Sequence, residues 1–312
     1  RGSNLGHLVD VNYATPRSDA NGVYPFWPAD SVRANPAFTQ MRDYAWDASS
    51  FYNALGITVK KRFSSGWSLQ GAYTFAKSID DASSAGVADT GGTPNGVTHS
   101  PPPLDISKFD RALSGFDVRN RLVINGSVDL PGRDLDGAVG AMLGGWSLNA
   151  IATMANGNHA SPQIFLNNRS RSQGKTPNAF DSVDRPNLIP GGNNSPVLSG
   201  GRNPNNYFDA SQWELGPAGY LGNAGRNTIE NPGVFTTDVS ITKDVQFDEA
   251  RYMEFRAEFF NLYNRANFEQ VGTHYGGNVN LFTFIFPNPN ASRIVATSTT
   301  SRQIQFALKF HF

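Results

Sequence analysis

The sequence predicts an all-β chain: an antiparallel, up-and-down transmembrane β-barrel segment with long loops at one end. Three observations predict it. Apolar and polar residues alternate along segment after segment, the period-two signature of a strand with one apolar and one polar face. The connections between these segments alternate short and long without exception. No apolar run approaches the ~18 residues that a membrane helix needs, whereas transmembrane strands turn half their residues to water and leave little hydropathy trace. The mean hydropathy of −0.39 is compatible with such strands.

Eight strands follow in order. The first lies near residues 4–14, in "NLGHLVDVNYAT". Near 50–63, Phe51, Leu55, Ile57, Val59 and Phe63 oppose Tyr52, Thr58, Lys60 and Arg62. Near 67–79, Trp67, Leu69, Gly71, Tyr73 and Phe75 oppose Ser68, Gln70, Ala72 and Thr74. Near 117–130, Leu122, Ile124, Gly126, Val128 and Leu130 oppose Arg121, Asn125, Ser127 and Asp129. The strand near 145–156 carries Trp146, Leu148, Ala150, Ala152 and Met154 on one side. Near 233–245, Phe235, Val239 and Ile241 oppose Asp238, Ser240, Thr242 and Asp244. Near 251–263, Met253, Phe255, Ala257 and Phe259 oppose Glu254, Arg256 and Glu258. The last, near 302–312, sets Ile304, Phe306, Leu308, Phe310 and Phe312 against Gln303, Gln305, Ala307, Lys309 and His311.

Short turns are expected at Ser64–Gly66, at Gln246–Glu249 and, more loosely, at Pro131–Gly144; the long segments are 16–48, 80–116, 157–231 and 265–300. An outer-membrane barrel has short periplasmic turns and long extracellular loops, and a soluble sandwich has no reason to sort them so. In the first hairpin, "SSG" fits a three-residue loop with Gly66 left-handed. Phe63 then faces Trp67, Val59 faces Gly71 and Ile57 faces Tyr73, so that paired residue numbers sum to about 130.

The 312 residues include no cysteine, and 26 basic residues balance 26 acidic ones. Disulfides, thiolate chemistry and Cys-ligated zinc are excluded, and no basic footprint for nucleic acid exists. The five histidines (His7, His99, His159, His274, His311) lack metal-ligand spacing. No G-x-S-x-G, P-loop or dinucleotide fingerprint occurs, so neither an enzymatic reaction nor a cofactor is expected. Asp80 and Asp81 of "SIDD", and Asp134 and Asp136 of "DLD", read as solvated turn carboxylates. Asp238, Glu254, Arg256 and Glu258 share the polar side of neighbouring strands and suit a water-filled or plug-filled lumen, with the apolar side toward lipid. Trp67, Trp146, Tyr263 and Phe312, near strand ends, suit interfacial girdles. Tyr24, Phe26, Trp27, Trp46, Tyr207, Phe208 and Trp213 fall in the long loops, where exposed rings would offer platforms to sugar rings, siderophores or peptides. The same rings would equally pack the loops against one another.

The stretches "YTFAKSIDDASS" (73–84), "SGFDVRNRLVING" (114–126), "LGGWSLNAIATMANG" (143–157), "GNAGRNTIENPG" (222–233) and "FRAEFFNLYNRANF" (255–268) resemble the C-terminal part of TonB-dependent outer-membrane receptors, closest to the Oar-like subgroup. The closing "RQIQFALKFHF" is similar to the signal that barrel-assembly machinery recognises, with Phe306, Leu308, Phe310 and Phe312 as its apolar positions. The resemblance implies about eight C-terminal strands of a barrel of roughly 22. It also implies a cell outer membrane location in a Gram-negative-type bacterium, contact with outer-membrane lipid, and import of a bulky extracellular small-molecule or oligomeric substrate. The plug, the TonB box and the regulatory-like domain, through which the TonB complex would act, are absent from these residues. The chain opens inside an apparent strand and is expected to be a fragment. Two other readings stay open: an adhesion or export-linked structural barrel, and a soluble carbohydrate-binding β-sandwich whose apolar faces pack on a second sheet.

Overall fold

The structure, a computed structural model, describes residues 1–39, 41–83, 104–132, 137–165, 168–174, 184–198, 203–248, 251–271 and 279–312. His99, His274, Asp134 and Asp136 lie outside the described residues.

Eight strands build the main sheet: β1 (Gly2–Asp10), β2 (Arg42–Ser64), β3 (Trp67–Asp80), β4 (Asn120–Asp129), β5 (Trp146–Ala155), β6 (Val234–Gln246), β7 (Tyr252–Phe260) and β8 (Gln303–His311). They pair antiparallel in chain order, and the two-residue strand Ala112–Leu113 adds to β3. That order puts successive connections at opposite ends of the sheet. Ser65–Gly66, 130–145 and 247–251 turn at one end; 11–41, 81–119, 156–233 and 261–302 turn at the other. The sheet is open, with β1 and β8 as its edges.

The period-two pattern dictates the faces. Ile57, Val59, Phe306, Leu308 and Phe310 are between 49% and 67% exposed, while Phe255 and Leu148 are half-buried. The other described sheets are short and belong to the long connections, so none covers this apolar side. The soluble sandwich therefore falls, because it needs those side chains packed in a dry interior. An apolar face this broad demands another apolar medium.

Three expectations are corrected. Asp80 and Asp81 are buried rather than solvated. β2 starts at Arg42, not near residue 50, because no Gly or Pro interrupts residues 42–55 and nothing local stops the strand. Its upper part, Arg42–Ser50, pairs with β1, and Ser50–Ser64 pairs with β3. The first turn has two residues, not three. Ser65 (φ 52°) and Gly66 (φ 78°) are both left-handed, the conformation of a type I′ hairpin turn. Ile57 does face Tyr73 and Val59 does face Gly71, but Ser64, not Phe63, faces Trp67. A bulge absorbs the difference by setting Arg62 and Phe63 against Ser68.

The long connections fold into a cap. Segments 156–233 and 261–302 share a core that includes Ile164, Phe208, Trp213, Ile229, Val271 and Leu281. Pro162–Phe165 runs parallel to Val279–Thr283 across them. A second cluster gathers Ala14, Trp27, Leu104 and Leu221 from three different loops. Amides complete the stitching: Ala14 donates to the Ser172 carbonyl (2.7 Å) and Trp27 to the Gly219 carbonyl (2.8 Å).

Candidate functional site

The polar side of the sheet is built from short side chains in register. Ser68, Ser127, Asn149, Ser240, Glu258 and Gln305 stand side by side across six strands. The Ser68 and Ser127 hydroxyls are 2.7 Å apart. Side chains this short leave room above the sheet, and a hollow of about 430 Å³ lies over this row, with Asp238 on its rim. Glu254, Arg256 and Glu258 share that side of β7. The Arg256 guanidinium donates to Glu254 at 2.8 Å and lies 3.7 Å from Glu258. The Asp238 carboxylate accepts the Asn261 amide at 2.8 Å.

Toward the cap, the same side forms a mouth. A hollow of about 440 Å³ is lined by Tyr52, Thr74, Ser78, Phe116, Asp117 and Arg121. Tyr52 and Phe116 are each 61% exposed. Arg121 is exposed, and no carboxylate among the described residues lies within ion-pair distance of it. Asp117 is tied down, accepting the Ser78 amide at 2.5 Å and lying 3.6 Å from Arg119. Two open rings beside an exposed guanidinium can stack on a planar or sugar-like surface and pair with an anionic group.

The loop aromatics divide. Trp27, Tyr207, Phe208 and Trp213 are buried, so their rings are not available as wet platforms. Trp27 donates its indole N–H to the Ala14 carbonyl (2.7 Å), and Phe208 meets Trp213 edge-on with centroids 5.7 Å apart. Phe26 is half-buried and packs on Tyr220 at 4.9 Å. Tyr24 stays exposed. Trp46 is exposed but sits on β2, over Gly6 of the paired β1, rather than in a loop. Phe306, Leu308, Phe310 and Phe312 lie on or just past the edge strand β8, all exposed. The sequence places Tyr52 and Arg121 only on the polar side of their strands, and gives no sign of Phe116. The signal was present for Tyr52, an aromatic on the polar parity of its strand.

The mouth is held by buried ion pairs that join strand ends to loops. Arg226 meets the Asp80 carboxylate and donates to the carbonyls of Asp80 and Asp110 (both 2.7 Å). Arg185 pairs with Asp110 at 3.1 Å and donates to the Phe109 carbonyl at 2.8 Å. Arg33 pairs with Asp10 at 3.0 Å, both side chains almost fully buried. Asp81 accepts the Ser49 amide and hydroxyl. Asp184 is different. Burial pushes its carboxyl up to about 6, although the Ser170 amide donates to it at 2.7 Å.

A family model described as outer membrane beta barrel domain matches residues 1–305, nearly the whole chain. Comparison with curated proteins finds no match, and neither does comparison with solved structures.

Proposed function

The chain belongs to the outer membrane beta barrel domain family and resides in the outer membrane; from that premise we propose that it is the C-terminal barrel portion of a TonB-dependent receptor that binds and imports a bulky nutrient. The observation that carries this reading is the mouth hollow: exposed Tyr52 and Phe116 beside Arg121, which has no ion-pair partner among the described residues, on the polar side and under a folded cap. A barrel serving only as a wall or a scaffold has no use for such a constellation at its inner rim. The hollow favours a solute with ring surfaces and an anionic group, such as an acidic oligosaccharide, a siderophore or a peptide. No catalytic step is involved. Residues outside this chain would supply the plug and the contact with TonB.

The test is uptake. Cells carrying Arg121→Gln in the full-length protein should need about tenfold more solute for half-maximal uptake, and disabling TonB should stop uptake altogether. Uptake that persists without TonB would refute the receptor reading. The second reading, an adhesion or export-linked barrel, is favoured by the extent of the folded cap, and it predicts surface attachment that survives loss of TonB.

A further inference from the structure

We propose that the apolar side of the sheet carries a specific site for a phosphorylated, acylated glycolipid of the outer leaflet, centred on Arg265. The proposal rests on the outer-membrane location and is independent of what the barrel transports.

The hollow comes first. Tyr73, Leu122, Met154 and Phe235 stand side by side on four neighbouring strands and line a groove of about 520 Å³, with Arg265 at its rim. The groove lies on the lipid-facing side, so its natural occupant is an acyl chain.

The charge comes second. The Arg265 guanidinium lies 5.5 Å from the centre of the Phe235 ring, which itself stacks on Tyr263 at 6.2 Å. Arg265 is exposed, and no carboxylate among the described residues lies within ion-pair distance. Two other arginines that lie over phenylalanines are already balanced: Arg119, over Phe75 at 5.9 Å, lies 3.6 Å from Asp117, and Arg111, over Phe51 at 4.9 Å, lies 3.7 Å from Asp81. Arg1, over Phe51 at 5.1 Å, likewise has no carboxylate within ion-pair distance among the described residues, but of these arginines only Arg265 stands at the groove.

The level comes third. At this height the apolar side turns polar: the Tyr73 hydroxyl donates to Asn120 at 2.7 Å, and Asn120 donates to Asn156 at 2.7 Å. Such groups mark the headgroup boundary. From Trp146 to Met154 the strand climbs roughly 26 Å, or about 20 Å along the bilayer normal at a typical tilt, which is close to the height of a barrel's apolar band. The cations sort with the ends. Lysines lie over tryptophans at the short-turn end (Lys61 on Trp67 at 3.7 Å, Lys243 on Trp146 at 5.6 Å), and arginines lie over phenylalanines at the long-loop end. A planar guanidinium forks onto phosphate oxygens in a way an ammonium does not. The long-loop end faces the leaflet that carries phosphorylated glycolipid.

The experiment titrates bisphosphorylated lipid A against the protein purified from outer membranes in a neutral detergent, read by native mass spectrometry. Heat-modifiable gel mobility confirms that each variant is folded. Wild type should hold one glycolipid through detergent exchange. Arg265→Gln should weaken it about tenfold, and Arg265→Lys should recover part of that loss. Met154→Trp, which fills the groove and leaves the charge in place, should weaken it too, and covers the case in which Arg265→Gln does not fold. Dephosphorylated lipid A should bind as poorly as Arg265→Gln binds the intact lipid, and millimolar inorganic phosphate should not compete. Equal retention by wild type and both variants would overturn the site. Equal binding of phosphatidylglycerol would overturn the glycolipid as its occupant.

Discussion

Arg226 shows how much one side chain can hold here. Its buried guanidinium bridges the end of β3 at Asp80, the carbonyl of Asp110 and the half-buried hydroxyl of Ser83. Removing it strands a buried carboxylate, which costs about 3–5 kcal/mol. Arg226→Ala should therefore loosen the cap while the sheet persists. Trypsin should cleave the loops of the variant in outer-membrane vesicles at least tenfold faster; equal rates would refute the role. Asp184 provides a pH response. Its folded carboxyl titrates near 6, above the unfolded value of 3.8, so between those values the folded cap holds a proton that the unfolded chain has released. Cap stability should accordingly rise as pH falls from 7 toward 4, by an amount on the order of 2–3 kcal/mol at most. Asp184→Asn mimics the protonated form and should flatten that dependence, measured as loop proteolysis against pH.

At the level of elements, the β2–β3 hairpin and the edge strand β8 are the informative cases. Ser65 sits at a positive φ that asparagine tolerates better, so Ser65→Asn should stabilise the hairpin by about 0.5 kcal/mol in guanidinium unfolding from micelles. Gly66→Val should destabilise it by more than 1 kcal/mol. In β8 the two sides should respond oppositely to charge. Leu308→Lys puts an ammonium on the apolar side, at a cost of about 2–4 kcal/mol, and should sharply lower the folded fraction in outer membranes. Gln305→Lys, on the polar side, should be tolerated. Equal yields for the two variants would refute the assignment of the two sides.

Across the whole molecule, two constructions meet. A single antiparallel sheet in chain order separates an apolar side from a row of hydroxyls, amides and charges. A cap made of four connections closes over one end with its own apolar cores and its own ion pairs. The open edges of β1 and β8 leave ladder groups unpaired, a state lipid does not tolerate. In the outer membrane each of those edges must therefore find a strand partner. The cap explains why the loop rings divide as they do: once 156–233 and 261–302 pack on each other, Tyr207, Phe208 and Trp213 are consumed as core, whereas Tyr24 and Phe116, in the other two long connections, stay open.

The sequence alone determined the strand type, the parity of each face, the alternation of short and long connections and most of the first hairpin's register. These follow from the two-residue repeat of an extended chain and from turn chemistry, both local. Only the tertiary structure decided that β2 runs on to Arg42, that Ser65 and Gly66 make a two-residue turn with a bulge behind it, and that "SIDD" is buried. Asp80 and Arg226 lie 146 positions apart, and nothing near either residue announces the other. The same holds for the groove at Arg265 and the mouth at Arg121, each assembled from strands that are distant in the chain. Local periodicity says which way a side chain points; only the closed set of contacts says what it meets there.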